Sequence, residues 1–265
     1  MSKQRSNRSR AETRNLKLKL AYDGSAFSGL ELQPGCSTVR GELEKALQQL
    51  FRKEIKIITA SRTDAGVHAR AQAVNFYLDN KIAPEKLMAA LNTKLPPALR
   101  VLSARQVSGH FHSRYNAKYK EYEYLIFNGK VLPPAYRDFV WHIRQPIDIK
   151  AMQRAAAAFS GSHDFSSFCA AHSDDRDFVR VMHKIVLGRR QLQLWQGPKL
   201  KVISFYVRGN GFLYKMVRNM VGTLVEVGEG RLRAEDIPGI IKARDRKAAG
   251  RTAPAHGLCL LKVGY

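Results

Sequence analysis

The sequence predicts an α+β protein made of two related subdomains, each a mixed or antiparallel sheet with helices on one face. Three observations predict it. Strand–helix–strand–strand order recurs in both halves of the chain. The strand segments alternate apolar and polar residues, whereas the helical segments space their apolar residues by three and four. The chain has 265 residues and is 45% hydrophobic, enough for one large domain or two small ones.

Residues 1–14 carry Lys3, Arg5, Arg8, Arg10 and Arg14 against Glu12, with no apolar periodicity. They read as a disordered basic tail. Order is expected from Leu16, where Leu16, Leu18 and Leu20 alternate with Lys17 and Lys19 in a half-buried strand closed by an Asp23-Gly24-Ser25 turn. A Ser37-Thr38 cap opens a helix carrying Val39, Leu43, Ala46, Leu47 and Leu50. Strands are expected over 55–60 and 73–78. Pro84 starts a helix with Leu87, Leu91 and Leu95 that Pro96-Pro97 stops, and Val101 to Val107 forms another strand.

The second half repeats this rhythm. A strand covers Tyr119 to Phe127, and an Asp148-capped helix runs from Ile149 to Phe159. Strands follow at Val179 to Leu187 and Leu200 to Arg208. Helices follow at Phe212 to Val227 and after Asp236, and Leu258 to Val263 is the last strand. The seam is expected near residues 108–118, dividing the chain into subdomains 15–112 and 113–265.

The formal net charge is +23, from 45 Lys and Arg against 22 Asp and Glu. Such an excess points to a polyanionic partner, because phosphate contacts by Lys and Arg release condensed counterions. No basic amphipathic helix dominates, which argues against a membrane-surface protein. No apolar run is long enough to cross a bilayer, and the N-terminus has no apolar leader. Cys36, Cys169 and Cys259 are odd in number and far apart, so a disulfide framework is not expected and a reducing cytosol fits. The sequence has neither a Walker loop nor a G-x-G-x-x-G motif. Cys169 and His172, with His163 and Asp164, have a permissive spacing but complete no metal signature.

Ser61-Arg62-Thr63-Asp64-Ala65-Gly66-Val67-His68-Ala69 lies between two strand-like flanks. Loops held by a sheet are common mounts for reactive groups. Asp64 is the leading catalytic candidate, since an ionised carboxylate beside a guanidinium can act as nucleophile or general base. It is equally compatible with a turn residue bonding its own backbone. Arg62 could pair with Asp64, contact phosphate or fill the space left by a displaced base. His68 could be a general base, an RNA contact or a hydrogen-bonding fixture. Tyr122 shares a strand face with Tyr124 and Ile126, as a core stripe or as a base-stacking platform. Lys215 and Arg218 lie together off the helical stripe Phe212, Met216, Met220, Val221 and Leu224, as solvated charge or as part of a site.

The nine-residue motif closely resembles the catalytic signature of tRNA pseudouridine synthases of the TruA family, usually G-R-T-D-A-G-V-H-A. Ala21 to Gly29, Phe111-His112-Ser113-Arg114, Tyr122-Glu123-Tyr124, His163-Asp164-Phe165, Met216 to Gly222 and Gly257 to Leu260 match other family segments in order. The resemblance covers roughly residues 16–264. It implies a homodimeric isomerase, two subdomains flanking a basic cleft, and conversion of uridine to pseudouridine at positions 38, 39 and 40 of the tRNA anticodon stem-loop. It implies no metal, nucleotide or redox cofactor.

By the same resemblance, Asp64 takes the catalytic place, attacking the sugar or the base or removing a ribose proton. Tyr122 would stack on the uracil and accept the C5 proton. Arg62 would fill the stack as the uridine flips out. Arg218 would help hold Asp64 ionised, and His68 joins these as a substrate-binding candidate. The chain departs from the family pattern at Leu30-Glu31, where Trp-Gln is usual, and at Ser61, where glycine is usual. Glu31 adds a negative charge close to the expected RNA-facing region.

Overall fold

Leu16, Leu18 and Leu20 are fully buried on one face of the first strand, β1 (Arg14–Tyr22). The expected half-buried alternation fails at the start of the strand, where Asn15 and Lys17 on the opposite face are buried too, Lys17 against the Phe111 and Tyr265 rings. The computed structural model of the protein describes residues 13–171, 176–194 and 198–265. Most of the expected basic tail, and His172, lie outside the described residues. Order starts earlier than expected, because the Arg14 guanidinium donates to the carbonyls of Asn80 and Ile82 and so belongs to β1.

The first half contains α1 (Val39–Phe51), β2 (Ile58–Thr59), β3 (His68–Leu78), α2 (Pro84–Asn92) and β4 (Leu99–Val107). The Thr38 side chain caps α1 by accepting from Gly41 N. The second half contains β5 (Tyr119–Asn128), β6 (Trp141–Ile143), α3 (Ile149–Ala157), β7 (Gly161–Asp164), β8 (Val179–Leu192) and β9 (Leu200–Gly209). It closes with α4 (Met216–Gly228), α5 (Ile237–Ala243) and β10 (Leu258–Gly264). Helices lie on one face of the sheet.

The strands of the two halves join in one mostly antiparallel sheet of order β4-β1-β3-β10-β5-β9-β8-β7, with β2 on β3 and β6 on β5. The joint is β10, the last strand in sequence. It pairs parallel with β3 and antiparallel with β5. Leu260 is level with Ala69 on one side and Tyr122 on the other. The loop that ends at β3 therefore opens over the middle of β5.

Three expected boundaries move. The strand expected over 55–60 pairs only at Ile58–Thr59, although Ile55 and Ile57 are buried. The strand expected from Ala73 starts at His68, where a His-Ala-Arg-Ala-Gln run hides its pairing behind polar residues. The helix expected from Phe212 starts at Met216, because Lys215 takes a left-handed conformation (φ 57°) that helical backbone cannot continue through. Phe212 thus leaves the helical stripe.

Of the α4 residues, only Arg218 and Glu226 are not buried. A helix apolar nearly all round belongs in a core, and α4 is covered on a further side by the 249–253 segment. Gly222 permits that close approach: a Cβ there would lie 1.6 Å from the Arg251 carbonyl oxygen. Gly222→Ala is expected to destabilise the protein by about 2 kcal/mol or more through overpacking against backbone. An unchanged urea midpoint in this variant would refute the tight crossing.

Candidate active site

The 61–67 loop is shaped by its own turn and braced from both sides. Val67 N donates to Asp64 O at 3.1 Å, closing a four-residue turn with Gly66 at its third position at φ 80°, the left-handed value that favours glycine. Leu30 N donates to Thr63 O, Gln72 Nε2 to Ser61 O, and the Thr63 hydroxyl pairs with that of buried Tyr22 at 2.7 Å. The peptide groups around Asp64 are thus held by both neighbouring strands and by the 28–30 segment.

The turn presents the Asp64 carboxylate to α4. Arg218 Nη1 donates to Asp64 Oδ2 at 2.5 Å, and both side chains are mostly shielded, 14% and 21% exposed. Arg218 is held twice more by one residue: its Nε donates to Ala253 O at 2.8 Å, and its own carbonyl accepts from Ala253 N. The guanidinium fork therefore bridges the catalytic-loop candidate and the 249–253 segment. Solvated helix charge, one of the two readings of Arg218, does not describe it.

Across the cleft, Tyr122 is 5% exposed and its hydroxyl lies 2.9 Å from Ser61 Oγ. Its ring meets the edge of Phe212 at 5.0 Å and 79°. Burial pushes the Tyr122 phenol up to about 12, so it is neutral at physiological pH. Tyr122 belongs to the buried stripe with Tyr124 and Ile126, yet it also lines the cleft. Arg62 stands exposed on the loop, and Lys215 lines the cleft at the start of α4. The cleft thus holds one carboxylate, two cationic side chains, Arg62 and Lys215, and an aromatic wall formed by Tyr122 and Phe212, with Arg218 reaching Asp64 from α4.

His68, the remaining substrate-binding candidate, is not among the residues that line this cleft. It is 6% exposed. Its Nε2 faces two carbonyls, Asp138 O at 2.7 Å and His256 O at 3.1 Å, which require a proton on that nitrogen. Its Nδ1 accepts from Gly24 N at 3.0 Å, beside the Asp23 carboxylate. With Phe139 stacked on the ring, His68 cross-links the first turn, β3 and the second half of the chain. It supports the loop from behind.

Of the residues read as a permissive metal spacing, the three among the described residues are otherwise placed. His163 pairs with Ser160 O, Asp164 accepts from Ser166 and pairs with Arg244, and Cys169 is buried. Glu31 is likewise occupied: Arg40 binds it at 2.8 Å and Thr59 donates to it at 3.0 Å. Arg40 is shared with Glu44, so Glu31 is held within the first half of the chain with its charge only partly offset. The site contributions of Phe212, Ser61 and Ala253 were not visible in the sequence. Phe212 read as helical stripe, Ser61 as a departure, and Ala253 acts through backbone alone.

A one-faced sheet with a carboxylate–guanidinium pair in a cationic cleft defines an α+β enzyme suited to a polyanionic substrate. More specifically, the chain belongs to the tRNA pseudouridine synthase family, whose model matches residues 20–116 and 155–265. It is 48% identical over 252 residues to tRNA pseudouridine synthase A of Moorella thermoacetica, covering 94% of this chain and 99% of that protein. It is 45% identical to the enzyme of the same name from Halalkalibacterium halodurans, covering 91% and 89%. With that from Acetivibrio thermocellus it shares 42% identity over 95% of this chain and the whole of the relative.

Proposed function

We propose that the protein converts uridine to pseudouridine in the anticodon stem-loop of tRNA, at positions 38, 39 and 40, with Asp64 as the catalytic residue. The observation that carries this reading is the Asp64–Arg218 pair set opposite Tyr122 in a cationic cleft. The reaction breaks the C1′–N1 glycosidic bond, turns the uracil and joins C1′ to C5. The C5 proton is lost and N1 gains one, so atoms balance without a redox partner. Asp64 supplies the charged oxygen for attack or proton removal. Arg218 orients it, Tyr122 and Phe212 flank the base, and Arg62 takes the flipped uridine's place in the stack. The enzyme works as a cytoplasmic homodimer.

Incubation with unmodified tRNA transcripts, followed by mapping of pseudouridine, tests the reading. Modification confined to 38–40 is expected, and none there would refute it. Affinity for tRNA is expected to fall about 10³-fold between about 50 and 200 mM salt, as for a protein making about six phosphate contacts. A flat salt response would remove the electrostatic part of the proposal.

A further inference from the structure

Ser61 and Tyr122 are 61 residues apart, on different halves of the chain, and their hydroxyl oxygens meet at 2.9 Å beside Asp64. Ser61 is the hydrogen-bond partner found for the Tyr122 hydroxyl. The loop backbone that carries Ser61 is itself pinned, since Ser61 O accepts from Gln72 Nε2 at 2.7 Å. Gln72 is fully buried. The serine hydroxyl therefore projects from a fixed point, two residues before the next loop hydroxyl, Thr63, which holds Tyr22 in the same manner.

We propose that Ser61 is a positioning residue for Tyr122: its hydroxyl fixes the phenol oxygen at the cleft wall in the orientation in which the tyrosine meets the uracil. The inference rests on the function proposed above. Phe212 meets the buried ring edge-on, a contact that leaves the phenol O–H free to turn about its C–O bond. A hydrogen bond at the far end of the ring removes that freedom. Because burial disfavours the phenolate, the phenol keeps its proton, and a neutral hydroxyl has a direction that a partner must set. Ser61 also ties Tyr122 to the loop of Asp64, so the two groups that would flank the nucleotide keep one spacing.

The test measures single-turnover pseudouridine formation on a tRNA transcript, with tRNA Kd from filter binding. Ser61→Ala is expected to slow the chemical step about tenfold, the size of one lost orienting hydrogen bond, with Kd unchanged. Ser61→Thr, which keeps the hydroxyl, is expected to restore most of the rate. In a Tyr122→Phe background, Ser61→Ala is expected to add no further loss, because the hydroxyl it serves is gone. A Ser61→Ala rate equal to the parent's, or an equal loss in the Tyr122→Phe background, would overturn the proposal. Failure of the unaltered protein to form pseudouridine would instead overturn the functional reading.

Discussion

Asp64→Asn is expected to lower single-turnover pseudouridine formation by about 10³-fold or more, the scale on which a nucleophile or general base is lost. Folding and tRNA affinity are expected to stay close to those of the parent. The physical basis is that asparagine is nearly isosteric with aspartate. The turn is closed by Val67 N on the Asp64 backbone carbonyl and does not depend on the side chain. The amide oxygen of the replacement side chain can still accept from Arg218 Nη1, so the guanidinium keeps a partner, though a neutral one. What disappears is the charged oxygen. Removing a negative charge from a cationic cleft does not weaken attraction for a polyanion. A variant with normal turnover would take Asp64 out of the mechanism. One with lost turnover and lost tRNA binding would reassign it to substrate docking.

Arg218→Met is expected to be the second most damaging change. It removes a bridge with two anchors, to Asp64 Oδ2 and to Ala253 O, while keeping the apolar stem against α4. Loss of hydrogen bonds to a charged, mostly shielded group is expected to cost about 1–3 kcal/mol of stability. Activity is expected to fall about 100-fold or more, because Asp64 loses its orientation as well as its counter-charge. Arg218→Lys is expected to lie between, since a single ammonium cannot reproduce the guanidinium fork that reaches both anchors. In an Asp64→Asn background, Arg218→Met is expected to add little to the loss of turnover, as two members of one unit are not additive. Parent-like turnover in Arg218→Met, with urea unfolding as the stability check, would show that the ion pair is structural.

What could be read from the chain itself was whatever is encoded over short distances. Leu16, Leu18 and Leu20 announced a strand, though not that Asn15 and Lys17 on its other face are buried as well, and Val39, Leu43, Ala46 and Leu47 announced a one-sided helix, because side-chain periodicity is set by local backbone geometry. The turn containing Gly66 and the surplus of cationic residues were legible for the same reason. Short strands such as Trp141–Ile143 and Gly161–Asp164 were not, since three or four residues carry too little pattern. The role of His68 stayed open between general base, RNA contact and hydrogen-bonding fixture because its partners come from Gly24, Asp138 and His256, none of them its neighbours.

The chemistry of the site lies on the other side of that divide. Asp64 and Arg218 are 154 residues apart, and Ser61 and Tyr122 are 61 apart. They meet because β10, the last strand, inserts between β3 and β5 and sets Leu260 level with both Ala69 and Tyr122. They meet also because the bare face of Gly222 lets the 249–253 segment close on α4 and hold Arg218. Element types, the candidate loop and a polyanionic class of partner were thus written into local pattern and composition. Which residues share one site was settled by sheet register and close packing, and these are properties of contacts between distant segments that no local pattern contains.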